Sequence, residues 1–145
     1  MSKAPAAAPR RIWTTLDLIN WTRAFFERKG IAAPRLEAEL LLAGALNCDR
    51  IRLYLDHEKP VPEQVLDRFR EWVKRRGEQR EPHQYILGRA QFLNLSLRVT
   101  PAVMIPRPET EELALWAIAA LKDAPGDALR VLDLGTGSAC LALAI

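Results

Sequence analysis

The hydrophobic pattern of this chain changes period once, at Pro82, and that change limits the fold more than any other feature. Upstream of it apolar residues recur at helical spacing; downstream they alternate. Leu18, Ile19, Thr22, Phe25 and Phe26 share one face of a first helix, with Thr14 or Thr15 as its N-cap. Gly30 suits the position just past its end, and Ile31 the contact behind it. Pro34 opens a second helix, since a first-turn position loses nothing by lacking an N–H. Leu36, Leu40, Leu41, Leu42, Ala43 and Leu46 wrap more than half of that helix, as expected of the buried centre of a bundle. Asp49 caps a short third helix carrying Ile51, Leu53, Tyr54 and Leu55, and Pro60 ends it. Pro62 starts a fourth, with Val65, Leu66, Phe69 and Val73 inward and Gly77 ending or weakening it. The short connections predict an antiparallel, all-α bundle over residues 16–77.

Beyond Pro82, Phe92, Leu93, Leu95, Leu97 and Val99 alternate about a turn at Asn94, which predicts a strand pair near residues 92–105. A helix is expected from Pro108 to about Leu121. Glu109, Glu111 and Glu112 fill its first turn, where carboxylates favour the positive end of the helix dipole. Leu113, Ala117 and Leu121 form its apolar stripe, and Pro125, Gly126 and Asp127 a turn after it. Arg130, Val131, Leu132, Asp133 and Leu134 then read as a buried strand, followed by a glycine-containing loop and an apolar helix start.

Charge follows the same division. Net charge is +3 overall, but +6 over residues 1–102 and −3 over 103–145. The basic front is either solvated surface or a face for an acidic partner or nucleic acid, and the arginine-rich side of the fourth helix (Arg68, Arg70, Lys74, Arg75, Arg76, then Arg80) poses the same choice. His57 and His83 stand alone, so surface or packing roles are expected of them, and packing of Trp13, Trp21, Trp72 and Trp116. Cys48 and Cys140 lie far apart, without metal-ligand spacing, and Cys140 reads as a small core residue. No disulfide framework or signal peptide is visible and no apolar run approaches the roughly 20 residues of a bilayer span, so a cytoplasmic location is expected, with no metal and no membrane partner.

The stretch from Val131 to Cys140 carries the chemistry. Gly135 and Gly137 permit a tight turn and close approach of a ligand, the following helix start offers unpaired N–H groups, and Asp133 sits where α/β sheets bind ligands. A nicotinamide fingerprint would need Gly or Ala at position 140, where Cys140 stands, and a phosphate-loop Lys-Ser/Thr is absent. The acidic residue two before the first glycine, with small residues following, resembles the first motif of Rossmann-like methyltransferases, although a strand–helix turn of another α/β protein would read similarly.

A second stretch narrows the resemblance. Met104-Ile105-Pro106-Arg107-Pro108-Glu109-Thr110-Glu111 is similar to the signature of the release factor glutamine methyltransferases (the HemK/PrmC family). Arg80-Glu81-Pro82-His83-Gln84-Tyr85-Ile86-Leu87-Gly88 with Phe92, and Pro34-Arg35-Leu36-Glu37-Ala38-Glu39-Leu40-Leu41 with Leu53-Tyr54-Leu55, resemble its linker and helical domain. Ala139 departs from the glycine of many relatives.

The resemblance implies S-adenosyl-L-methionine as cofactor, held by Asp133, Gly135, Thr136, Gly137, Ser138 and Ala139, with Arg107 on a proline-stiffened strap facing a carboxylate or, alternatively, pairing with Glu111. It implies a disordered tail over residues 1–13, a helical substrate-recognition domain over 14–81, a β-hairpin linker over 82–106 and the start of a Rossmann-like α/β methyltransferase domain from 107 to 145. The implied reaction is methylation of the side-chain nitrogen of the Gly-Gly-Gln glutamine in a peptide chain release factor, the protein partner. The family's Asn-Pro-Pro-Tyr loop does not occur, so this chain by itself is expected to lack catalytic residues and activity. Two other readings stay open: a non-catalytic helical module that binds a translation factor, and a nucleic-acid amino-methyltransferase, although nucleic acid is not expected as the direct substrate.

Overall fold

A computed structural model describes residues 12–122, 124–125 and 129–145. Most of the expected tail, and Gly126 and Asp127 of the expected turn, lie outside them. The chain divides into two compact units, Met1–His83 and Gln84–Ile145.

The first unit is helical: α1 (Thr15–Arg28), α2 (Pro34–Leu46), α3 (Arg50–Leu55) and α4 (Glu63–Glu78). Local chemistry sets each boundary. Thr14 Oγ1 accepts from the Asp17 amide while the Asp17 carboxylate accepts from the Thr14 amide, a reciprocal cap of about 1 kcal/mol. The next two amides, of Thr15 and Leu16, donate to the carbonyls of Lys59 and His57, so the segment after α3 satisfies the start of α1. The same approach produces a single backbone bridge between Thr14 and Pro60, not a strand. At the other end Gly30 has φ +65°; its amide donates to Glu27 and that of Ile31 to Phe26, closing the helix with buried Phe26 against buried Ile31.

As the apolar pattern predicts, α2 is the centre of this unit. Ala38, Leu41, Leu42, Ala43 and Ala45 are buried, and α2 packs on α1, α3 and α4. Phe26, Leu53, Phe69 and Val73 complete the core. In α3 only Leu53 goes inside; Ile51 and Leu55 are exposed, because a six-residue helix resting on one side of α2 buries one position per turn. Gly77 lies inside α4 rather than beyond it and is buried. A Cβ there would stand 2.5 Å from a ring carbon of Phe25, itself stacked on Trp21, so glycine is what allows α4 to approach α1 so closely.

The second unit opens with α5 (His83–Leu87, whose first residue closes the first unit), an element the alternation did not announce. The hairpin β1 (Arg89–Phe92) and β2 (Leu95–Arg98) is antiparallel, pairing Arg89 with Arg98 and Phe92 with Leu95. It therefore begins three residues before the expected span and ends well short of it; residues 99–107 form no strand. Asn94 is in the turn as expected, but the left-handed residue is Leu93, at φ +51°. Such a conformation costs a β-carbon-bearing residue roughly 1–2 kcal/mol.

Helix α6 (Pro108–Lys122) occupies the expected span, and α7 (Cys140–Ala144) the expected helix start. The buried position of α6 is Ala114, which forms a buried cluster with Phe92, Leu97 and Cys140; Leu113 and Trp116 are exposed. Cys140 is thus the small core residue its sequence context implies, whereas Trp116 does not pack. The expected buried strand at residues 130–134 is not formed: Val131, Leu132 and Leu134 are exposed and carry no ladder. A strand buried on both faces needs neighbouring strands and covering helices, and the described residues of this unit supply only the hairpin. The described residues are mostly helical, with one two-stranded antiparallel hairpin.

Candidate cofactor-binding site

The glycine loop takes an unusual backbone course. Gly135, Gly137 and Ala139 have φ of +76°, +54° and +61°. Two of these suit glycine; Ala139 carries a Cβ in the left-handed region at the N-cap of α7. The Ala139 amide donates to the Thr136 carbonyl at 2.8 Å, and the Thr136 hydroxyl donates to the Asp133 carbonyl at 3.3 Å, so the loop holds its own shape. Cys140, next in sequence, anchors it in the core beside Ala114, Phe92 and Leu97.

Asp133 lines a hollow of about 410 Å³ with Leu121, Leu129, Val131, Ala142 and Ile145. One of its carboxylate oxygens is shielded from water and has no hydrogen-bond partner among the described residues. A desolvated carboxylate oxygen costs free energy until a donor reaches it. Gly135, Thr136 and Gly137 are exposed and Ser138 and Ala139 half-buried, leaving the loop accessible.

Arg107 lies outside this loop in sequence, one residue before α6, and is exposed. Among the described residues no ion pair or side-chain hydrogen bond engages it, and it does not pair with Glu111. Glu111 is occupied: its carboxylate accepts from the Leu93 amide in the hairpin turn at 2.8 Å.

The first unit holds a different kind of polar chemistry. Glu39 is 2% exposed, yet Arg35 (3.0 Å), Arg50 (2.6 Å) and the Tyr54 hydroxyl all donate to its carboxylate. Burial pushes its pKa up, but these donors outweigh burial and hold it below the ordinary carboxylate value. Glu37 behaves likewise: burial is opposed by His83 at 3.1 Å and by Arg76 at 2.8 Å, and the net shift is down. His83 therefore packs against a carboxylate, as an isolated histidine was expected to.

These contacts also answer the question posed by the arginine-rich side of α4. Arg76 is spent on Glu37, Arg75 on Glu81 and Arg70 on Asp67. The Arg68 guanidinium lies over Trp72 and donates to the Ala45 carbonyl at the end of α2, and Arg80 donates to the Lys29 and Gly30 carbonyls at the end of α1. Five of these six cations tie helix ends and carboxylates of their own unit, although Arg68, Arg70, Lys74 and Arg80 remain exposed. Spacing alone offers Arg35–Glu39, four apart on one helix face, but Glu37–Arg76 and Glu111–Leu93 have no local signature.

Residues 17–88 match the model of the PrmC N-terminal domain. The chain belongs to the PrmC family. It is 45% identical over 135 residues to a release factor glutamine methyltransferase of Rhodopirellula baltica, covering 92% of this chain and 45% of that protein. The identity to the corresponding protein of Geobacter sulfurreducens is 45% over 134 residues, with 92% and 45% covered. For Coxiella burnetii it is 48% over 113 residues, with 77% and 39% covered. The chain spans less than half the length of these curated relatives. Within the PrmC family match lie most of α1 and all of α2 to α5, including Gly77, Glu39 and the Glu37–Arg76–His83 cluster; the glycine loop lies beyond it. No helix of the described residues is long and apolar enough to cross a membrane.

Proposed function

We propose that this chain is part of a cytoplasmic, S-adenosyl-L-methionine-dependent protein-(glutamine-N5) methyltransferase that modifies the Gly-Gly-Gln glutamine of peptide chain release factors. In this reading residues 14–81 recognise the substrate, residues 82–106 form a hairpin linker and residues 107–145 begin a Rossmann-like methyltransferase domain. The observation that carries it is the loop at Gly135–Ala139: three left-handed backbone positions in five residues, following a carboxylate that lacks a donor. The likeness to relatives that bear this name supports the same reading.

The residues fit the cofactor. Gly135 and Gly137 leave the backbone bare where a ligand must come close, with Thr136, Ser138 and Ala139 completing the loop. The unpartnered Asp133 oxygen suits an ammonium or hydroxyl donor, and the open Arg107 guanidinium suits a carboxylate. Bound S-adenosyl-L-methionine would supply an electrophilic methyl group on a sulfonium. A glutamine amide nitrogen is a weak nucleophile, so the reaction depends on alignment and on acceptors for its N–H protons, and the residues here contribute the cofactor's fixed position. Arg70, Arg75 and Arg76 of α4 are paired with carboxylates of their own unit, which leaves fewer of its cations free for nucleic-acid phosphates. Mass spectrometry of release factor incubated with the full-length protein and S-adenosyl-L-methionine tests the proposal. One added methyl group on the Gly-Gly-Gln glutamine is expected; an unmodified glutamine, with the protein folded and cofactor bound, overturns it.

A further inference from the structure

Three hydrogen bonds in the second unit fasten the segment that carries Arg107 and its two ends. That segment, residues 99–107, runs from the end of β2 to the start of α6 without regular structure. At its start the Val99 amide donates to the Gly88 carbonyl, with Val99 buried. Midway the Tyr85 hydroxyl donates to the Val103 carbonyl at 2.8 Å. At its far end the first turn of α6 is fastened to the hairpin by Glu111, which accepts from the Leu93 amide. Pro106 and Pro108 limit the backbone freedom that remains on either side of Arg107.

The fastening at Leu93 is what holds an unfavourable conformation. Leu93 is a non-glycine residue at φ +51°, and its amide has a carboxylate acceptor in place of a ladder partner. Leu93 and Leu95 pack against the cluster of Phe92, Leu97, Ala114 and Cys140, and Cys140 directly follows the glycine loop. The hairpin, the helix that follows the Arg107 segment and the helix that follows the glycine loop therefore meet in one small cluster.

We propose that Glu111 and Tyr85 are positioning residues for Arg107. Glu111 locks the hairpin tip to the first turn of α6, Tyr85 pins the middle of the intervening segment, and together they fix where Arg107 stands relative to the Gly135–Ala139 loop. The inference rests on reading that loop and Arg107 as the cofactor site, but neither Glu111 nor Tyr85 touches cofactor or substrate.

The test is calorimetric titration of S-adenosyl-L-methionine into the full-length protein and its variants. Arg107→Ala and Glu111→Ala should each weaken binding, the latter about fivefold, since a side chain out of place forfeits part of its contact. Glu111→Gln, which keeps an acceptor oxygen, should retain most affinity. Adding Leu93→Gly to Glu111→Ala should recover part of the loss, because glycine holds a positive φ unaided. A merely structural glutamate would not give that recovery. Should Glu111→Ala fail to fold, Tyr85→Phe, which deletes one hydroxyl, takes its place, with a loss of about twofold expected. If Arg107→Ala weakens binding while Glu111→Ala and Tyr85→Phe bind as the parent does, the positioning role is wrong and the cofactor site stands. Failure of Leu93→Gly to recover binding also overturns it. If Arg107→Ala binds normally, the reading of Arg107 fails and this inference with it.

Discussion

The two units spend their apolar residues in opposite ways. In the first, Phe26, Leu41, Leu42, Leu53 and Phe69 are all at or below 1% exposure, and the buried Glu39 carboxylate is matched by two arginines and a tyrosine. In the second, Trp116, Leu132 and Leu134 are 71%, 80% and 83% exposed, and the cluster that joins the hairpin to α6 and α7 holds four buried side chains. Yet every candidate cofactor residue is in the second. Helices satisfy their backbones locally and need one apolar face, so the first unit closes on itself. A ligand loop hung on a parallel strand depends on neighbours distant in sequence.

Core truncation should separate the units most strongly. Phe26→Ala or Phe69→Ala should lower stability by about 3–5 kcal/mol in denaturant melts followed by the helical signal. Leu132→Ala, removing a side chain that is 80% exposed, should change the same melt by less than about 0.5 kcal/mol. Equal losses would mean that the two regions are not built differently.

Close helix approach comes next. Gly77→Val places carbon where the Phe25 ring stands and should destabilise the first unit by about 1–3 kcal/mol. Gly77→Ala should cost less, because the gain in helix propensity of about 1 kcal/mol offsets part of the overlap. A variant as stable as the parent would show that α1 and α4 are not in contact there.

Acid offers a milder probe. Glu37, Glu39 and Glu81 all sit below their ordinary pKa of 4.5 in the folded chain. Groups lowered by folding contribute stability that is complete above the unfolded value and is lost as pH falls through the folded one. The first unit should therefore hold its stability down to about pH 5 and lose it progressively below that. Glu37→Gln should flatten the decline; an unchanged profile would remove Glu37 from the account.

How much of this was legible beforehand follows the same division. Thr14 as cap, Gly30 and Ile31 at the end of α1, Pro34 at the start of α2 and the central place of α2 are local features, and each could be read from spacing. The helix at Pro108 was readable for the same reason. The strand expected at residues 130–134 was not formed, since an apolar run becomes a strand only beside another. The hairpin was displaced because alternation alone does not say which residue accepts a positive φ, and Leu93 does so with help from Glu111, eighteen residues away. Gly77 suggests an end or a weak point of α4, and not a close contact, because its neighbour Phe25 lies on another helix. In the site, Asp133 and the two glycines were visible as a motif, but the left-handed backbone of Ala139 was not.

That residue yields the smallest effect. Ala139→Gly should relieve a strained position and stabilise the loop by up to about 1 kcal/mol, seen as slower amide exchange in α7. Faster exchange would mean that Ala139 is not left-handed there.

The central claim is that the Gly135–Ala139 loop of a PrmC-family chain receives the cofactor, and Gly137 tests it most directly. Gly137 has φ +54°, so a branched side chain there opposes the backbone as well as the ligand. Calorimetric titration of S-adenosyl-L-methionine into full-length Gly137→Val should show binding weakened well over tenfold, about 1.4 kcal/mol or more. Normal binding by a folded Gly137→Val protein would contradict the claim.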